Sequence, residues 1–432
     1  ATGPTAVWRH SGIGAGRALA SALASANNLR EWSRFVRAEV VWQGDGVESS
    51  VALALEPKGY AFIVNGKSDG SARGDAGTQV MLGLLGAALH PAPSSALVIG
   101  LGTGSTAGWL GAVPSMSRVD VVELEPLILD VAKACRDVNE DVLANPRVHV
   151  SIGDAREYLL TTRQRYDLIA SEPSNPFRAG IASLFTREYY QAAADRLTDE
   201  GLFLQWIQAY EIDGRTLRTA YATMASVFPD VETWQASGGD LVLVGRRRAR
   251  PIDVGQLRAR LSQPPFDRAL SAAWRAVDIH GFLAHYLGSD RLARAVAAAP
   301  GVTPNTDDLN VIEFGFARSV GVAQYVLIGE VRELARALNA DHPATTGDAI
   351  DWGVVNTAWT SYYTSEDRAF GLTLPGPALE QARRLALRLY YLDGNLGGFR
   401  SVWASQTDAA RDPSELAMQA DAAAETGSDE AL

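Results

Sequence analysis

The sequence holds a single cysteine, Cys135, among its 432 residues. One thiol excludes internal disulfide bonds and any metal cluster built from several cysteines. The six histidines are scattered and form no His-x-x-x-His pair, so the sequence predicts no metal site. Cys135 ends a helical pattern that begins near residue 128, and we expect it to be a buried, small apolar side chain.

Positive charge is also scarce, because 39 lysine and arginine residues stand against 50 aspartate and glutamate residues. The resulting formal net charge of -11 disfavours binding to a phosphate backbone, which needs a basic stripe. We therefore expect no nucleic-acid partner, whereas a small cationic substrate is compatible with this balance. The run Arg246-Arg247-Arg248 is expected to be a solvated edge beyond a strand.

A long uninterrupted apolar run is missing as well. Residues 76–117 contain no Asp, Glu, Lys or Arg, which is typical of membrane helices. The turn His90-Pro91-Ala92-Pro93-Ser94-Ser95 and a glycine-rich loop interrupt this segment, so we expect two buried elements joined by a turn. The N-terminus lacks a basic start followed by an apolar core, and the sequence therefore predicts no secretory signal in this chain. These features indicate a soluble domain, either cytoplasmic or membrane-associated.

Strand-like and helical patterns alternate from about residue 96 to residue 245, and they include a predicted helix at 126–138 and a predicted strand at 201–206. The first strand, Ala96-Leu97-Val98-Ile99, is a continuous apolar run, as expected for a strand covered on both faces. The alternation predicts an α/β fold with a doubly wound, mostly parallel sheet and a ligand at the carboxyl ends of the strands. The preceding segments predict a small antiparallel β-domain and a helix, with strands at 39–42, 50–55 and 60–64 and the helix at 78–89.

The first strand leads into a glycine-rich loop, Gly100-Leu101-Gly102-Thr103-Gly104, which opens a helix. Glycines permit a tight turn and a close approach of the backbone to a ligand, and a helix N-terminus offers free N–H groups. A structural turn alone would also explain such a loop. The residues Gly100, Gly102, Thr103 and Gly104 are therefore candidates for cofactor binding.

Two acidic residues strengthen the cofactor interpretation. Glu123 ends the second strand, where a carboxylate can accept both hydroxyl hydrogens of a ribose. Asp154, next to Ala155, ends the third strand, where it can accept from an adenine amino group. A nicotinamide cofactor would also use the glycine loop and Glu123. Asp154 favours a methyltransferase-type nucleotide fold instead. Each acid alone could instead cap a helix.

The chain beyond about residue 322 is rich in Ala, Leu and Arg with helical periodicity but no clean fixed period. Helices are predicted at 325–338, 350–363, 378–392 and 414–425. The predicted division of the chain is a linker or truncated leader at 1–35, a β-meander and helix at 36–94, a nucleotide-binding catalytic domain at 95–250, a helical extension of it at 251–320, and an α-helical hairpin domain, repeat-like in character, at 321–432.

After the fourth strand, Tyr166-Asp167-Leu168-Ile169, the sequence reads Ser171-Glu172-Pro173-Ser174-Asn175-Pro176. With the later run Ser183-Leu184-Phe185-Thr186-Arg187-Glu188-Tyr189-Tyr190, this stretch resembles the catalytic segment of spermidine synthases, the polyamine aminopropyltransferases. The upstream residues Asn65-Gly66-Lys67, Gln79 and His90-Pro91 resemble that family's N-terminal β-domain. Residues 39–319 as a whole resemble a spermidine synthase-like branch that is often fused to membrane segments, with Glu48-Ser49-Ser50-Val51 and Asn305-Thr306-Asp307-Asp308 as further marks.

The resemblance implies a Rossmann-like methyltransferase fold and transfer of an aminopropyl group from decarboxylated S-adenosylmethionine to a polyamine or other amine, without a metal. It also implies the roles of individual residues. Glu123 would bind the ribose and Asp154 the adenine, Glu172 would be the catalytic acidic residue and base, and Asn175 would occupy the second catalytic position. Gln79 would face the aminopropyl end of the cofactor, and Asp69 would lie near the nucleoside. Tyr210 follows the fifth strand, where it would either line the acceptor pocket or belong to an aromatic core under a loop.

Two departures from the family pattern change the predicted charge of the pocket. Thr103 stands where the family has an aspartate that pairs with the aminopropyl ammonium, and Asn175 stands where it has a second catalytic aspartate. Burying an ammonium without a carboxylate partner is costly, so both cationic ligands would bind less well. The acids that could compensate in the sequence are Asp69, Asp75, Glu211 and Asp307.

Three functions therefore stay open. The first is aminopropyl transfer to a small cationic amine. The second is another transfer from intact S-adenosylmethionine, most simply methylation, because Thr103 repels the carboxylate of that cofactor less than an aspartate would. The third is a non-catalytic interaction protein that uses the C-terminal helices to bind a protein partner or a second copy of the chain. The resemblance also admits membrane attachment through a segment outside this chain.

Overall fold

The computed structural model describes residues 9–10, 24–56, 59–176, 180–237, 239–319, 328–366, 384, 387, 391, 396–404 and 413–426. Most of the predicted linker at 1–35 and of the predicted helix at 378–392 lies outside these residues.

An antiparallel meander follows the first helix. Helix α1 spans Ala26–Glu39, and strands β1 to β4 span Val40–Asp45, Ser50–Glu56, Gly59–Val64 and Lys67–Ser71 and pair in chain order. The turn between β3 and β4 uses Asn65 and Gly66, both with positive φ, as a tight hairpin requires. Three of these strands were predicted from the sequence. Strand β4 was missed because its polar residues include no β-branched side chain, and only its pairing with β3 reveals it.

One sheet of eight strands forms the centre of the described residues. Its strands are β5 (Ser95–Ile99), β6 (Arg118–Glu123), β7 (Val148–Ile152), β8 (Tyr166–Ser171), β9 (Leu197–Gln208), β10 (Asp230–Gln235), β11 (Asp240–Arg246) and β13 (Tyr286–Gly288), in the spatial order β13-β10-β11-β9-β8-β5-β6-β7. Strands β5 to β9 are parallel, and β11, β10 and β13 are antiparallel to their neighbours. The strand order reverses between β5 and β8, where doubly wound sheets bind ligands. The predicted doubly wound, mostly parallel sheet is confirmed.

Helices cover both faces of this sheet. They are α2 (Ala76–Leu89), α3 (Ser105–Ala112), α4 (Ile128–Ala134), α5 (Ala155–Thr161), a 3₁₀ turn (Ile181–Phe185), α6 (Arg187–Asp195) and α7 (Gly214–Ala225). Alternate strand residues enter two separate cores, with Leu168 and Leu204 in the core that contains α2, and Phe203 in the core that contains α6 and α7. This burial on both faces explains the continuous apolar runs in the sequence.

Three elements of the sheet domain differ from the sequence predictions. The helix predicted at 126–138 is shorter, spanning Ile128–Ala134. Strand β9 is longer than the predicted 201–206 because it begins before Gly201, with an irregular register between its pairings at Leu197 and Leu202. Strand β10 was missed because Asp230 and Glu232 are unusual strand residues; Arg246 on β11 forms ion pairs with both.

The remaining described residues are mostly helical. They form β12 (Ile252–Asp253), α8 (Val254–Leu261), α9 (Phe266–Ala269), a π-helical turn (Leu270–Trp274), α10 (Ile279–Leu283), α11 (Asp290–Ala297), α12 (Val311–Ser319), α13 (Ile328–Ala337), β14 (Thr345–Thr346), α14 (Trp352–Glu366), α15 (Leu396–Trp403) and α16 (Pro413–Thr426). Buried Arg332 on α13 lies 4.3 Å above the Trp359 ring on α14, and the Trp359 indole donates to Gln235 Oε1 on β10 at 3.4 Å. Within the described ranges, none of the helices combines the length and the apolarity that crossing a membrane requires.

Candidate active site

The glycine loop between β5 and α3 has the backbone that its sequence predicts. Gly100, Gly102 and Gly104 have φ values of 88°, 52° and 83°, a region that favours glycine. A Cβ atom at Gly100 would lie 2.9 Å from the carbonyl oxygen of Glu172, so this loop and the loop after β8 touch through their backbones. Gly104 is the N-cap residue of α3. The loop therefore presents a helix N-terminus at the switch point of the sheet.

Glu123 lies at the carboxyl end of β6, directly beside this loop. Its Oε2 accepts from the Leu101 N–H at 2.8 Å, and its Oε1 accepts from the Glu125 N–H at 2.9 Å. Burial raises the pKa of Glu123, and the backbone hydrogen bonds from Glu125 and Leu101 act in the opposite direction. Each carboxylate oxygen can accept more than one hydrogen bond, so both can still accept from a ligand hydroxyl.

Asp154 lies at the same edge of the sheet, because β6 and β7 pair up to Glu123 and Ile152. Its Oδ1 accepts from the backbone N–H groups of Arg156 at 2.7 Å and Glu157 at 3.0 Å, which caps helix α5. Ala155 is the first residue of that helix. The side chain of Asp154 thus has a structural role, and its exposed position leaves Oδ2 accessible to a ligand.

A buried asparagine that the sequence analysis did not identify supports the glycine loop. Asn139 donates from Nδ2 to the carbonyl oxygens of Thr103 at 2.7 Å and Ala132 at 2.8 Å. A Cβ atom at Gly108 would lie 1.8 Å from the Asn139 carbonyl oxygen, so the backbone of helix α3 packs directly against the backbone of Asn139. No local motif marks Asn139, which lies in the turn region after α4.

The end of the loop nearest helix α2 is lined by neutral polar groups. Thr103 is buried, and its hydroxyl donates to Gln79 Oε1 at 2.5 Å. The same hydroxyl lies 3.0 Å from the Ser105 hydroxyl. The structure thus brings Gln79 and Thr103 together in a patch of hydroxyl and amide groups.

Glu172, the residue after β8, adjoins this neutral patch. Its Oε2 lies 2.9 Å from the Thr106 hydroxyl, which is also 2.7 Å from the backbone carbonyl oxygen of Gln79. Burial, partly offset by the Thr106 hydrogen bond and reinforced by the negative charges of Asp240 and Asp75, raises the pKa of Glu172 to about 8. A carboxyl group in this state exchanges protons near neutral pH.

Asn175 and Tyr210 lie together beyond Glu172. The Asn175 side chain donates to Gln208 Oε1, and Gln208 Nε2 donates to the Tyr210 carbonyl oxygen at 2.9 Å. Burial raises the pKa of Tyr210, as do the nearby charges of Asp240, Asp75 and Asp69, while a side-chain hydrogen bond with Asn175 lowers it. The two predicted residues therefore share one cluster with three carboxylates.

Asp69 lies on β4 and contacts the loop after β8. The Ser174 hydroxyl lies 2.9 and 2.8 Å from its two carboxylate oxygens and can donate to either, and Lys67 lies 3.7 Å from Oδ1. The β-domain therefore contributes a carboxylate to the wall of the site next to residues 172–175. The role of Asp69 near a nucleoside stays a prediction.

Asp240 is an acid of this cluster that the sequence analysis missed. It begins β11, and its Oδ2 accepts from the Thr78 hydroxyl on α2 at 2.5 Å. Asp75, one of the acids named from the sequence, precedes α2 and accepts from the Ser71 N–H at 2.6 Å. The pKa of Asp75 is raised, mainly because the side chain is buried. No sequence motif marks Asp240, because its proximity to Thr78 depends on long-range packing.

Two other acids named from the sequence have different surroundings. Asp307 forms a two-pronged ion pair with Arg156, at 2.9 and 2.5 Å, and its N–H donates to Glu188. It therefore stabilises the surface where α5 and α6 meet the loop before α12. Glu211 follows Tyr210 with a φ of 51°, in the left-handed region. Across the described ranges, no group of three or more His, Cys, Asp or Glu side chains could hold a metal ion.

Residues 76–237 match the Spermine/spermidine synthase domain family. Part of the chain is also similar to polyamine aminopropyltransferases. That of Alkaliphilus oremlandii is 28% identical over 151 residues, and that of Alkaliphilus metalliredigens is 31% identical over 151 residues. Each alignment covers 34% of this chain and 53% of the relative. This chain thus spans about half the length of the curated relatives it matches.

Solved structures show a distant likeness. A spermidine synthase in complex with the transition state analogue AdoDATO has a TM-score of 0.47 at 21% identity and covers 55% of this chain and 85% of its own. Human Methyltransferase-like protein 13 in complex with SAH has a TM-score of 0.37 at 21% identity, covering 44% of this chain and 90% of its own.

Proposed function

We propose that this chain, which carries a spermine/spermidine synthase domain at residues 76–237, is an aminopropyltransferase-like enzyme that transfers an aminopropyl group from decarboxylated S-adenosylmethionine to a small cationic amine. The observation that carries the proposal is the position and state of Glu172. Its carboxyl group, with a pKa of about 8, adjoins the glycine loop and a cluster of further carboxylates. These are the groups needed to bind a cationic nitrogen and to take its proton.

The glycine loop, Glu123 and Asp154 with Ala155 would hold the nucleoside part of the donor. Glu123 would accept from the ribose hydroxyls, since each of its oxygens already has one backbone donor and can take another. Asp154 would accept from the adenine amino group through the oxygen that does not cap α5. When bound, the donor supplies a sulfonium centre whose leaving group departs as a neutral thioether.

The protein's task is therefore alignment and proton removal rather than activation of the leaving group. The acceptor nitrogen must lose a proton before or as it forms its new bond to the aminopropyl carbon, while the carbon–sulfur bond breaks and its electron pair stays on sulfur. Glu172 would take that proton. Because its pKa lies close to neutral pH, the carboxylate is available as a base without being a trap for the proton.

A second function has one specific observation in its favour. The buried Thr103–Gln79–Ser105 patch is neutral, so it offers no carboxylate to an aminopropyl ammonium at that end of the loop. A neutral patch repels the carboxylate of intact S-adenosylmethionine less than an acidic one would, and methyl transfer to an amine is the simplest reaction of that donor. The acidic groups around Glu172 would serve a cationic acceptor in either reaction.

The test is to incubate the purified chain with each donor and a panel of diamines, and to identify the residual nucleoside by mass spectrometry. Methylthioadenosine formed from the decarboxylated donor supports aminopropyl transfer. S-adenosylhomocysteine formed from the intact donor supports methyl transfer instead. If calorimetry detects binding of neither donor, both catalytic functions fail and a non-catalytic interaction protein is the remaining interpretation.

A further inference from the structure

We propose that Trp274, which lies beyond the spermine/spermidine synthase domain at residues 76–237, is a positioning residue for the donor, because it fixes Gln79 against the glycine loop through the first turn of α2. This inference rests on the proposed function, since it concerns the end of the site at which Gln79 would face the aminopropyl group. It gives the segment that follows the sheet a role in donor binding.

The first turn of α2 receives little support from its own sequence. Its N-cap residue, Asp75, makes no side-chain hydrogen bond to the helix. Gly77 is the second residue of α2, and glycine is among the poorest helix formers. The geometry of this turn therefore depends on the elements that pack against it.

Two distant segments pack directly against Gly77. A Cβ atom at this position would lie 2.8 Å from Ser237 Cβ, in the turn between β10 and β11, and 3.2 Å from the carbonyl oxygen of Ala273, in the π-helical turn. The indole N–H of Trp274, the last residue of the π-helical turn, donates to the Gly77 carbonyl oxygen at 2.8 Å. The start of α2 is thus fixed by a residue that lies 197 positions away in the chain.

The ring of Trp274 is itself held in place. It is 1% exposed, and it stacks on the His285 imidazole with 4.0 Å between the ring centroids and 15° between the ring planes. The Phe282 ring lies against it at 5.5 Å. His285 Nδ1 donates in turn to the Gln235 carbonyl oxygen on β10 at 2.9 Å. Burial lowers the pKa of His285 to about 4, so this stack keeps the same charge at neutral pH. Trp274 therefore presents its N–H group in a fixed direction.

Gln79 passes the position of this turn to the site. It lies two residues after Gly77, and its Oε1 accepts from the Thr103 hydroxyl of the glycine loop at 2.5 Å. Its backbone carbonyl oxygen lies 2.7 Å from the Thr106 hydroxyl, which also contacts Glu172. A shift of the first turn of α2 would therefore move the Gln79 side chain relative to the glycine loop.

The nucleoside end of the site is held by other groups. The Glu123 carboxylate accepts from the backbone N–H groups of Leu101 and Glu125, and the Asp154 carboxylate accepts from those of helix α5. Loss of the Trp274 hydrogen bond should therefore weaken binding of the aminopropyl part of the donor and spare the nucleoside part. Methylthioadenosine carries the nucleoside without the aminopropyl group, so a comparison of the two ligands isolates the end near Gln79.

The test compares Trp274→Phe with Trp234→Phe as the matched control. Phenylalanine keeps an aromatic ring against His285 but has no N–H group to donate to α2. Trp234 is also fully buried and lies 5.3 Å from the same Phe282 ring, but its indole donates to a carboxylate of its own strand. In Trp274→Phe we expect the Kd for decarboxylated S-adenosylmethionine, measured by calorimetry, to rise about 3- to 10-fold, with the Kd for methylthioadenosine unchanged. Trp234→Phe should change neither constant, although urea unfolding should show that both variants lose stability.

Two further variants follow the same contact from the side of α2. Gly77→Ala places a methyl group 2.8 Å from Ser237 Cβ and leaves Trp274 intact, so the turn must shift and the same split between the two ligands is expected. In Gln79→Ala the side chain through which Trp274 acts is absent. Trp274→Phe should therefore add nothing to the donor Kd of Gln79→Ala when the two changes are combined.

An unchanged donor Kd in Trp274→Phe would overturn the inference and leave the proposed function standing. Equal weakening of both ligands in Trp274→Phe, the same loss in Trp234→Phe, or additive effects in the double variant would show that Trp274 supports the fold as a whole, and would overturn it too. If Trp274→Phe does not fold, Gly77→Ala decides by the same criteria. A wild-type protein that binds neither ligand would overturn the proposed function itself, and the role of Trp274 with it.

Discussion

The hydroxyl oxygen of Thr106 lies 2.9 Å from Oε2 of Glu172, and it is also 2.7 Å from the carbonyl oxygen of Gln79. A hydroxyl has one proton and cannot donate to both oxygens at once. When Glu172 is protonated, it can donate to Thr106 while Thr106 donates to Gln79, and every group is satisfied. When Glu172 is ionised, Thr106 can turn to the carboxylate. The Thr106 hydroxyl thus joins the first turn of α3 to the proposed base, and its hydrogen bond to the carboxylate partly offsets the rise in the pKa of Glu172 that burial causes.

The first prediction concerns the separation of binding from catalysis. We expect Glu172→Gln to keep the Kd for methylthioadenosine, because the glutamine still hydrogen-bonds to Thr106, and to lose about 100-fold or more in kcat, as expected for a missing general base. Asp154→Ser should weaken the Kd for methylthioadenosine and leave kcat nearly unchanged. Serine keeps a capping oxygen for α5, but it cannot replace the carboxylate that we expect to bind the nucleoside. Calorimetry and single-turnover kinetics measure the two effects. Equal loss of nucleoside binding in both variants would contradict the assigned roles.

The second prediction concerns pH and stability. The pKa of Glu172 rises from an ordinary value of 4.5 to about 8 in the folded protein, so the folded state binds the proton more tightly than the unfolded state does. The free energy of unfolding should therefore fall as the pH rises through this window. Glu172→Gln removes the titrating carboxyl group. We expect it to stabilise the protein at pH 9, relative to its effect at pH 4.5, by up to about 4 kcal/mol, because each unit of pKa shift corresponds to about 1.4 kcal/mol.

Urea unfolding at several pH values tests this expectation, with Asp348→Asn as the control, which changes an exposed acid that pairs with Arg258. The groups that face Glu172 or its neighbours, namely Asp75, Asp240, Asp69, Tyr210 and Lys67, are unchanged in both proteins. A difference between Glu172→Gln and the wild type that does not depend on pH would show that the carboxyl group of Glu172 has an ordinary pKa.

The third prediction concerns the glycine loop. In Gly100→Ala, the new methyl group would lie 2.9 Å from the Glu172 carbonyl oxygen, and the residue would keep a φ of 88°. We expect a loss of about 1–3 kcal/mol in stability and a weaker nucleoside Kd, because the loop must shift away from the β8 loop. Gly214→Ala is the matched control, since nothing lies within 4 Å of its added methyl group. Thermal unfolding that lowers the Tm of both variants equally would contradict this account.

The fourth prediction concerns the choice of donor. Thr103→Asp adds a carboxylate of similar size beside Gln79, at the neutral end of the loop. The change should favour decarboxylated S-adenosylmethionine, whose aminopropyl ammonium it can pair with, and should weaken binding of the intact cofactor through repulsion of its carboxylate. We expect the ratio of the two Kd values to change about tenfold or more. An unchanged ratio would show that residue 103 does not face the end of the donor that distinguishes the two forms.

The sequence predicted the parts of the fold that depend on local pattern. Strands β5 and β8, which are largely buried, were recognised, and so was the glycine loop that follows β5. Strand β4 was missed because it is polar, and strand β10 because its acids pair with Arg246, a residue on the next strand. The division into five segments, the partner-binding role of the C-terminal helices and a membrane segment outside this chain stay predictions.

The candidate site, too, could be predicted from the sequence only in part. Glu123, Asp154 and Glu172 follow strand ends, so their common edge could be predicted from the alternation of strands and helices. The position of Asp240 could not, because it depends on the antiparallel pairing of β11 with β9 and on a contact with Thr78, which is 162 residues away in the chain. Asp307, one of the acids that could compensate for the lost charges, forms an ion pair with Arg156, a partner that the sequence did not indicate.

The most direct test of the proposed function is the mass of the amine product. The purified wild-type chain and Glu172→Gln are each incubated with decarboxylated S-adenosylmethionine and a diamine, and the amine fraction is analysed by mass spectrometry. We predict that the wild type yields the diamine extended by one aminopropyl group and that Glu172→Gln, although it binds the nucleoside equally well, yields about 100-fold less. An unmodified diamine with the wild type, or equal product from both proteins, would contradict the proposal that Glu172 is the base of an aminopropyl transfer.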